Sequence, residues 1–83
     1  MTGVVGRIRW AYYDAAQLEG YTVTRAGTDW RVSGRVVLSD AFKLAQRPLV
    51  FVAPTQHGDL QWPIRTLSIT NGQLMADLGP PLP

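Results

Sequence analysis

Residues 30–38 constrain the fold more strongly than any other part of the sequence. Apolar side chains recur there at the two-residue period of a β-strand, at Trp30, Val32, Val36 and Leu38. The alternate positions carry Arg31, Ser33 and Arg35. This pattern predicts a strand that is buried on one face and cationic on the other, and most other segments read as strands able to pair with it.

Two glycines inside strands indicate how the sheet is shaped. Residues 3–13 read as a first strand with Gly6 on its apolar face, and Gly34 lies at the centre of the strand at 30–38. A glycine inside a long strand often marks a bend or bulge, as at the corner of a small barrel. The two glycines therefore favour a closed or strongly curved sheet over a flat one.

Capping signals predict two short helical segments. Asp14 as a cap and Gly20 as a left-handed stop predict one helical turn over residues 14–20. A short helix is predicted at residues 40–47, with Ser39 as its N-cap. Ala41, Leu44 and Ala45, helped by Phe42, give this helix an apolar side.

The rest of the chain reads as strands and turns. Asn71-Gly72 is the preferred pair for a type I′ turn, and it predicts a hairpin over residues 66–77. That turn sets Ile69 opposite Leu74 and Leu67 opposite Ala76. Pro63 argues for a sheet edge or a break at its position. Further strands are predicted at 21–25, 49–53 and 60–65.

The order of these elements predicts a mainly β fold. We expect a small curved antiparallel sheet or barrel of about five to six strands, with one short helix after the third strand. This order is that of an oligonucleotide-binding (OB-like) barrel. An SH3-like barrel or a two-layer β-sandwich fits nearly as well.

Length and composition predict one domain without metal or thiol chemistry. The chain has 83 residues, a net charge of +2 and no cysteine. We expect a single β-rich domain over residues 1–79 and a flexible proline-rich tail at 80–83, with no cofactor. Charge enters early, at Arg7, and the apolar run at 49–53 is too short to span a membrane, so we expect a cytoplasmic protein that does not contact membranes.

A cationic face is the first candidate site. Arg7 and Arg9 share a predicted face with Tyr13, and Arg31 shares a face with Arg35. If the first and third strands are neighbours, the four guanidinium groups form one patch. Arginine binds phosphate bidentately and stacks on bases, so such a patch would suit single-stranded nucleic acid. The low net charge makes a solvated sheet face the stronger interpretation.

An apolar surface is the second candidate site. Val37 and Met75 lie on strand faces that are predicted to point outward, and Trp62 lies beside the edge-type Pro63. Apolar side chains grouped on a surface mark a protein interface or a homodimer seam. A single residue of register slip would bury them instead.

Catalytic chemistry has little support in the sequence. His57 is the only histidine, and the carboxylates are scattered among turns and helix starts. We therefore predict a non-enzymatic binding module whose function is protein–protein interaction or self-association. Binding of single-stranded nucleic acid through the arginine face is the alternative.

Overall fold

Six strands form a closed barrel in the computed structural model, which describes residues 1–83. The strands and the single helix are, in chain order, β1 (Val5–Trp10), β2 (Tyr13–Ala26), β3 (Asp29–Ser39), α1 (Ala41–Leu44), β4 (Val50–Thr55), β5 (Gly58–Thr70) and β6 (Gln73–Leu78). Every pairing is antiparallel. The predicted fold class is confirmed, and closure decides for a barrel over a sandwich.

The barrel consists of two three-stranded meanders. The order around the ring is β1-β2-β3-β6-β5-β4, so the chain meanders through β1–β3, crosses by α1, and meanders through β4–β6. Pairing of β3 with β6 and of β4 with β1 joins the two meanders and closes the ring.

Tyr21 and Phe51 lie at the centre of the core, one from each meander. Their rings pack edge to face with centroids 5.2 Å apart, and both side chains are fully buried. A Cβ atom on Gly6 would come within 2.7 Å of the Phe51 ring, and one on Gly34 would lie 3.1 Å from Cβ of Tyr21. Gly6 thus leaves the clearance that the Phe51 ring needs, and Gly34 leaves room for the main chain and Cβ of Tyr21.

The first meander differs from the prediction between residues 3 and 20. β1 ends at Trp10, and residues 14–20 form the first half of β2 instead of a helical turn. Local capping signals at Asp14 and Gly20 are overridden because this segment pairs with both β1 and β3. Its apolar side chains are part of the core, at Ala15, Ala16 and Leu18.

The strand at 30–38 is confirmed as β3, with one change at its end. Val32 is buried, whereas Arg31 and Arg35 are exposed as predicted. The register against β2 shifts around Val37, and Leu38 beyond this bulge is exposed rather than buried. A bulge adds one residue and so breaks the alternation on which the prediction depends.

The helix is shorter than predicted. It spans Ala41–Leu44, and its N-cap is Asp40 rather than Ser39, because the Asp40 carboxylate accepts the Lys43 amide hydrogen bond at 3.2 Å. Arg47 ends the turn by donating from its guanidinium to the Leu44 carbonyl oxygen at 2.9 Å.

The second meander contains the predicted C-terminal hairpin. Asn71 and Gly72 both have positive φ, as a type I′ turn requires, and all the predicted pairs are present. Pro63 does not break the chain into two strands, since β5 runs through it. It lies where β5 exchanges its partner, pairing with β4 up to Pro63 and with β6 from Ile64 onward.

Segments outside the named strands cover two of the sheet edges. Met1 and Gly3, which precede β1, form backbone hydrogen bonds with Val23 and Tyr21 of β2. Gly79 donates to the Pro63 carbonyl oxygen and Leu82 to that of Gln61, at 2.8 and 2.7 Å. Flexibility of residues 80–83 stays a prediction, although Leu82 bonds to β5.

Substitution of Gly6 by alanine tests the clearance around the central rings. We expect Gly6→Ala to lower the free energy of unfolding by about 1–3 kcal/mol, because its Cβ overlaps the Phe51 ring. In a Phe51→Leu background the same change should cost distinctly less. Denaturant unfolding of the two single variants and the double variant measures this coupling, and strict additivity would contradict the explanation.

Candidate functional site

The four predicted arginines do not form one patch. β2 lies between β1 and β3, so Arg7 and Arg9 are separated from Arg31 and Arg35 by a strand. Each instead has an acidic neighbour: the nitrogen–oxygen distances are 3.5 Å for Arg7–Asp59, 3.9 Å for Arg9–Asp14, 3.0 Å for Arg31–Asp77 and 2.9 Å for Arg35–Glu19. The predicted cationic face is therefore a set of separate ion pairs, and the Nε atom of Arg9 in one of them is buried.

Charge pairing extends to the whole surface. The two remaining carboxylates, Asp29 and Asp40, pair with Arg65 and Lys43, so every Asp and Glu in the chain lies within ion-pair distance of a basic side chain. Arg25 and Arg47 are the only arginine or lysine side chains without a carboxylate partner. Arg25 lies over the Trp30 ring at 5.3 Å instead.

Trp62 belongs to the core and not to a surface site. Its side chain is 2 % exposed and packs against Phe51 and Trp30, at centroid distances of 5.8 and 6.2 Å. The prediction of exposure was wrong because the Trp62 side chain lies in the core of the barrel, and Gly79 covers the backbone edge beside it at Pro63. The indole Nε1 of Trp62 is buried without a hydrogen-bond partner.

Val37 and Met75 are exposed as predicted, but they lie apart. Met75 pairs with Ser33 on β3, and Val37 lies four residues further along that strand, about 13 Å away at the usual strand rise. Met75 lines a shallow outer groove of about 150 Å³ together with Arg31, Thr66, Leu67, Ser68 and Asp77.

The largest group of exposed aromatic side chains lies where the β1–β2 turn meets α1. We call Trp10, Tyr12, Tyr13 and Phe42 the aromatic patch. The Trp10 ring is 5.8 Å from Tyr13 and 6.5 Å from Phe42. Tyr12 is 90 % exposed and Phe42 is 71 % exposed, whereas Trp10 anchors the group by packing against the core.

A cation and a cleft adjoin the aromatic patch. Lys43 Nζ lies 5.2 Å from the centre of the Tyr13 ring and 3.7 Å from the carboxylate of Asp40. A cleft of about 110 Å³ opens beside them between β2 and the end of β3, lined by Asp14, Ala15, Ala16, Gln17, Leu38, Ser39 and Asp40. The exposed Leu38 gives this cleft an apolar wall.

Sequence reasoning found only one member of the aromatic patch, Tyr13. Trp10 and Tyr12 were assigned to a strand running to residue 13, and Phe42 to the apolar side of a longer helix. The available signal was the Trp10-Ala11-Tyr12-Tyr13 run at the end of a strand, since a turn there projects its aromatic residues outward.

The turn that carries Tyr12 is strained. Ala11 has a φ of 53°, in the left-handed region that glycine adopts far more readily than alanine. Such strain persists where the surrounding structure imposes it and often accompanies functional sites.

Two pKa shifts have clear physical causes, and both groups lie outside the aromatic patch. Hydrogen bonds from Arg31 and from the Thr66 hydroxyl, each 3.0 Å long, lower the pKa of Asp77. Burial raises the pKa of Tyr21, in keeping with its place at the core centre.

His57 lies exposed in the turn between β4 and β5. Its backbone amide donates to the Thr55 hydroxyl, and neither cleft described above includes it. No group of three or more metal-ligating side chains is assembled anywhere in the structure.

Comparisons with protein-family models, with curated proteins and with solved structures find no match to this chain. No helix of the structure has the length and apolarity that crossing a lipid bilayer requires.

Relief of the strain at Ala11 should stabilise the protein. We expect Ala11→Gly to raise the free energy of unfolding by up to about 1 kcal/mol, because glycine adopts a positive φ without steric cost. Tyr12→Gly, one residue further in the same turn, is the matched control and should not stabilise. Thermal and denaturant unfolding of the two variants check this, and an equal gain in both would contradict the role of the φ angle.

The hydrogen bond from Thr66 can be tested through the titration of Asp77. We expect Thr66→Val to raise the pKa of Asp77 toward the usual aspartate value of about 4, measured by NMR titration of its carboxyl carbon. Folding lowers this pKa, so the interaction stabilises the fold fully at pH values above the usual aspartate pKa. This stabilisation is lost as the pH falls through the pKa of Asp77 in the folded protein. Ser68→Ala, which removes a hydroxyl with no bond to Asp77, should leave the titration unchanged.

Proposed function

We propose that this protein is a non-enzymatic binding module of the cytoplasm that docks on another protein through the aromatic patch. The observation that carries the proposal is the grouping of Tyr13 and Phe42 around the partly buried Trp10, with the exposed Tyr12 in the adjoining turn. Large aromatic side chains are enriched in the centres of protein interfaces and depleted from ordinary exposed surface.

The geometry of the patch suits an interface centre. Trp10 is held by the core, and its contacts orient Tyr13 and Phe42, so part of the entropic cost of ordering these side chains is already met before binding. Lys43 is the one cation that lies over a ring of the aromatic patch, and the carboxylate of Asp40 partly neutralises its charge. The adjoining cleft offers a recess for an apolar side chain of the partner.

The distribution of charge favours a protein partner over single-stranded nucleic acid. A strand-binding surface needs unpaired cations along a continuous path beside stacking aromatics. Here the predicted arginines are each paired with a carboxylate, and the two basic residues left over, Arg25 and Arg47, lie on different segments.

Site-specific photo-crosslinking tests the proposal. A photoreactive phenylalanine analogue replaces Tyr12 in one experiment and Thr28, in the turn at the other end of β2, in the control. We expect a discrete protein adduct from position 12 in cells and none from position 28. Adducts of equal intensity from both positions would contradict docking through the patch.

The partner recovered in that experiment then allows a quantitative measurement. We expect Phe42→Ala to weaken its binding by about 2 kcal/mol, or roughly 30-fold, with the fold unchanged because the side chain is exposed. Val37→Ala and Met75→Ala are matched exposed apolar controls. Loss of binding in these controls but not in Phe42→Ala would move the interface to the surface predicted from the sequence.

The salt dependence of oligonucleotide binding distinguishes the nucleic-acid alternative from docking on a protein. Titration with a single-stranded oligonucleotide should give at most weak binding that Arg31→Ala and Arg35→Ala hardly change, since both side chains already contact carboxylates. Tight binding that falls steeply with salt and with these substitutions would favour nucleic acid over a protein partner.

A further inference from the structure

One side of the last part of β5 has no strand beside it. β5 pairs with β4 only over residues 58–63, and with β6 over 64–70. Residues 66–70 are therefore paired on the β6 side alone, and we call their other side the β5 free edge. No backbone hydrogen bond outside the strand ladders involves these residues.

The turn geometry decides which backbone groups the β5 free edge presents. Thr70 and Gln73 close a two-residue hairpin turn and so form a hydrogen-bonded pair. Because hydrogen-bonded pairs alternate along an antiparallel ladder, Thr66, Ser68 and Thr70 bond to β6. Leu67 and Ile69 then direct their N–H and C=O groups away from β6, and no side chain bonds to them.

The equivalent edge of β2 is covered. Val23 exchanges two hydrogen bonds with Met1, at 2.6 and 2.7 Å, and Gly3 donates to Tyr21. The next residue whose backbone groups point to that side is Arg25, whose charge opposes pairing with another strand. The β5 free edge has neither a covering segment nor a charge.

The residues of the β5 free edge are those of a strand that pairs readily. Residues 66–70 read Thr-Leu-Ser-Ile-Thr, without charge, proline or glycine. Native edge strands usually carry charged residues or proline that prevent pairing, because an edge without them is a template for another strand. Ile69 is 41 % exposed at this edge.

We propose that the β5 free edges of two copies of this protein pair antiparallel, around a two-fold axis at Ser68. This register sets Leu67 opposite Ile69 of the second copy, so the unpaired N–H and C=O groups of both copies bond to one another in about four backbone hydrogen bonds. Thr66 then faces Thr70 on the other side of the sheet.

A second copy fits this edge better than an unrelated strand because the sequence is self-complementary about Ser68. Apolar residues meet apolar residues and threonine meets threonine, pairs that are favourable across strands. None of the five residues that each copy contributes to the pairing is charged. Met75 lies opposite Ser68 on β6, so one methionine of each copy flanks the axis on the outer face.

The proposed contact between two β5 free edges, which we call the seam, is separate from the aromatic patch, and it is small. A contact of one short strand from each copy is at the low end of interface size, so we expect a weak dimer whose population rises with concentration. The proposed dimer does not depend on the function assigned to the aromatic patch.

Amide hydrogen exchange and solution mass test the pairing on the full chain. Light scattering over a concentration series should show a monomer–dimer equilibrium. In the same series the amides of Leu67 and Ile69 should become protected from exchange as the dimer forms, whereas those of Ser68 and Thr70 are protected at every concentration. This alternation of the four amides would place the dimer contact on the β5 free edge.

A proline variant removes the seam without removing the ladder to β6. Ile69→Pro deletes an N–H group that points outward, which an edge strand tolerates. We expect it to raise the dimer Kd by about tenfold or more. Ile69→Val, which keeps the N–H and the strand preference, is the matched control and should retain the dimer.

Three results would overturn the proposal. They are a mass that stays monomeric at all concentrations, a dimer in which the Leu67 and Ile69 amides exchange freely, and a folded Ile69→Pro variant that dimerises as tightly as the unsubstituted protein. If Ile69→Pro does not fold, the exchange measurement on the unsubstituted chain decides alone. Phe42→Ala should leave the dimer unchanged, which distinguishes failure here from failure of the aromatic patch.

Discussion

The structure depends on the contact between Tyr21 and Phe51. The two rings come from different meanders and meet edge to face at the centre of the barrel. A Cβ atom at Gly6 would overlap the Phe51 ring and one at Gly34 would crowd the Cβ of Tyr21, so both glycines leave room for this pair. A small domain has few large side chains to bury, and this one concentrates its aromatic burial at a single place.

Closure of the ring determines where the protein can meet other molecules. A closed barrel leaves few free edges, and here added segments cover most of those that the long strands β2 and β5 would expose. What remains is side-chain surface at a barrel end, where the aromatic patch lies, and one uncovered stretch of β5. Pairing of the carboxylates with basic residues leaves little surface charge to attract a strongly charged ligand.

The sequence predicted those parts of the fold in which local signals and packing agree. The hairpin at 66–77 was right in turn, register and face because its turn residues and its alternation specify the same pairing. Residues 14–20 were wrong because capping residues suggested a helix, while Ala15, Ala16 and Leu18 are needed in the core. Periodicity describes the faces of a strand and says nothing about which strand lies beside it.

That limit explains the outcome for the candidate sites. The arginine patch required β1 and β3 to be neighbours, and the ring order places β2 between them. Trp62 was assigned to the surface because Pro63 indicated an edge, although β5 continues through it as it changes partners. Phe42 was assigned to the apolar side of a helix over residues 40–47, because a helix of four residues could not be distinguished from one of eight.

The two-meander order has a consequence for how the chain folds. Four of the six strand pairings join neighbours along the sequence through short turns, and only β1·β4 and β3·β6 join strands of different meanders. Hairpins form in microseconds, whereas long-range pairings must first overcome the entropy of closing large loops. Tyr21 of the first meander and Phe51 of the second can bury each other only when the two meanders meet. Closure of the barrel should therefore be the slow and cooperative event, with little stable structure in either half beforehand.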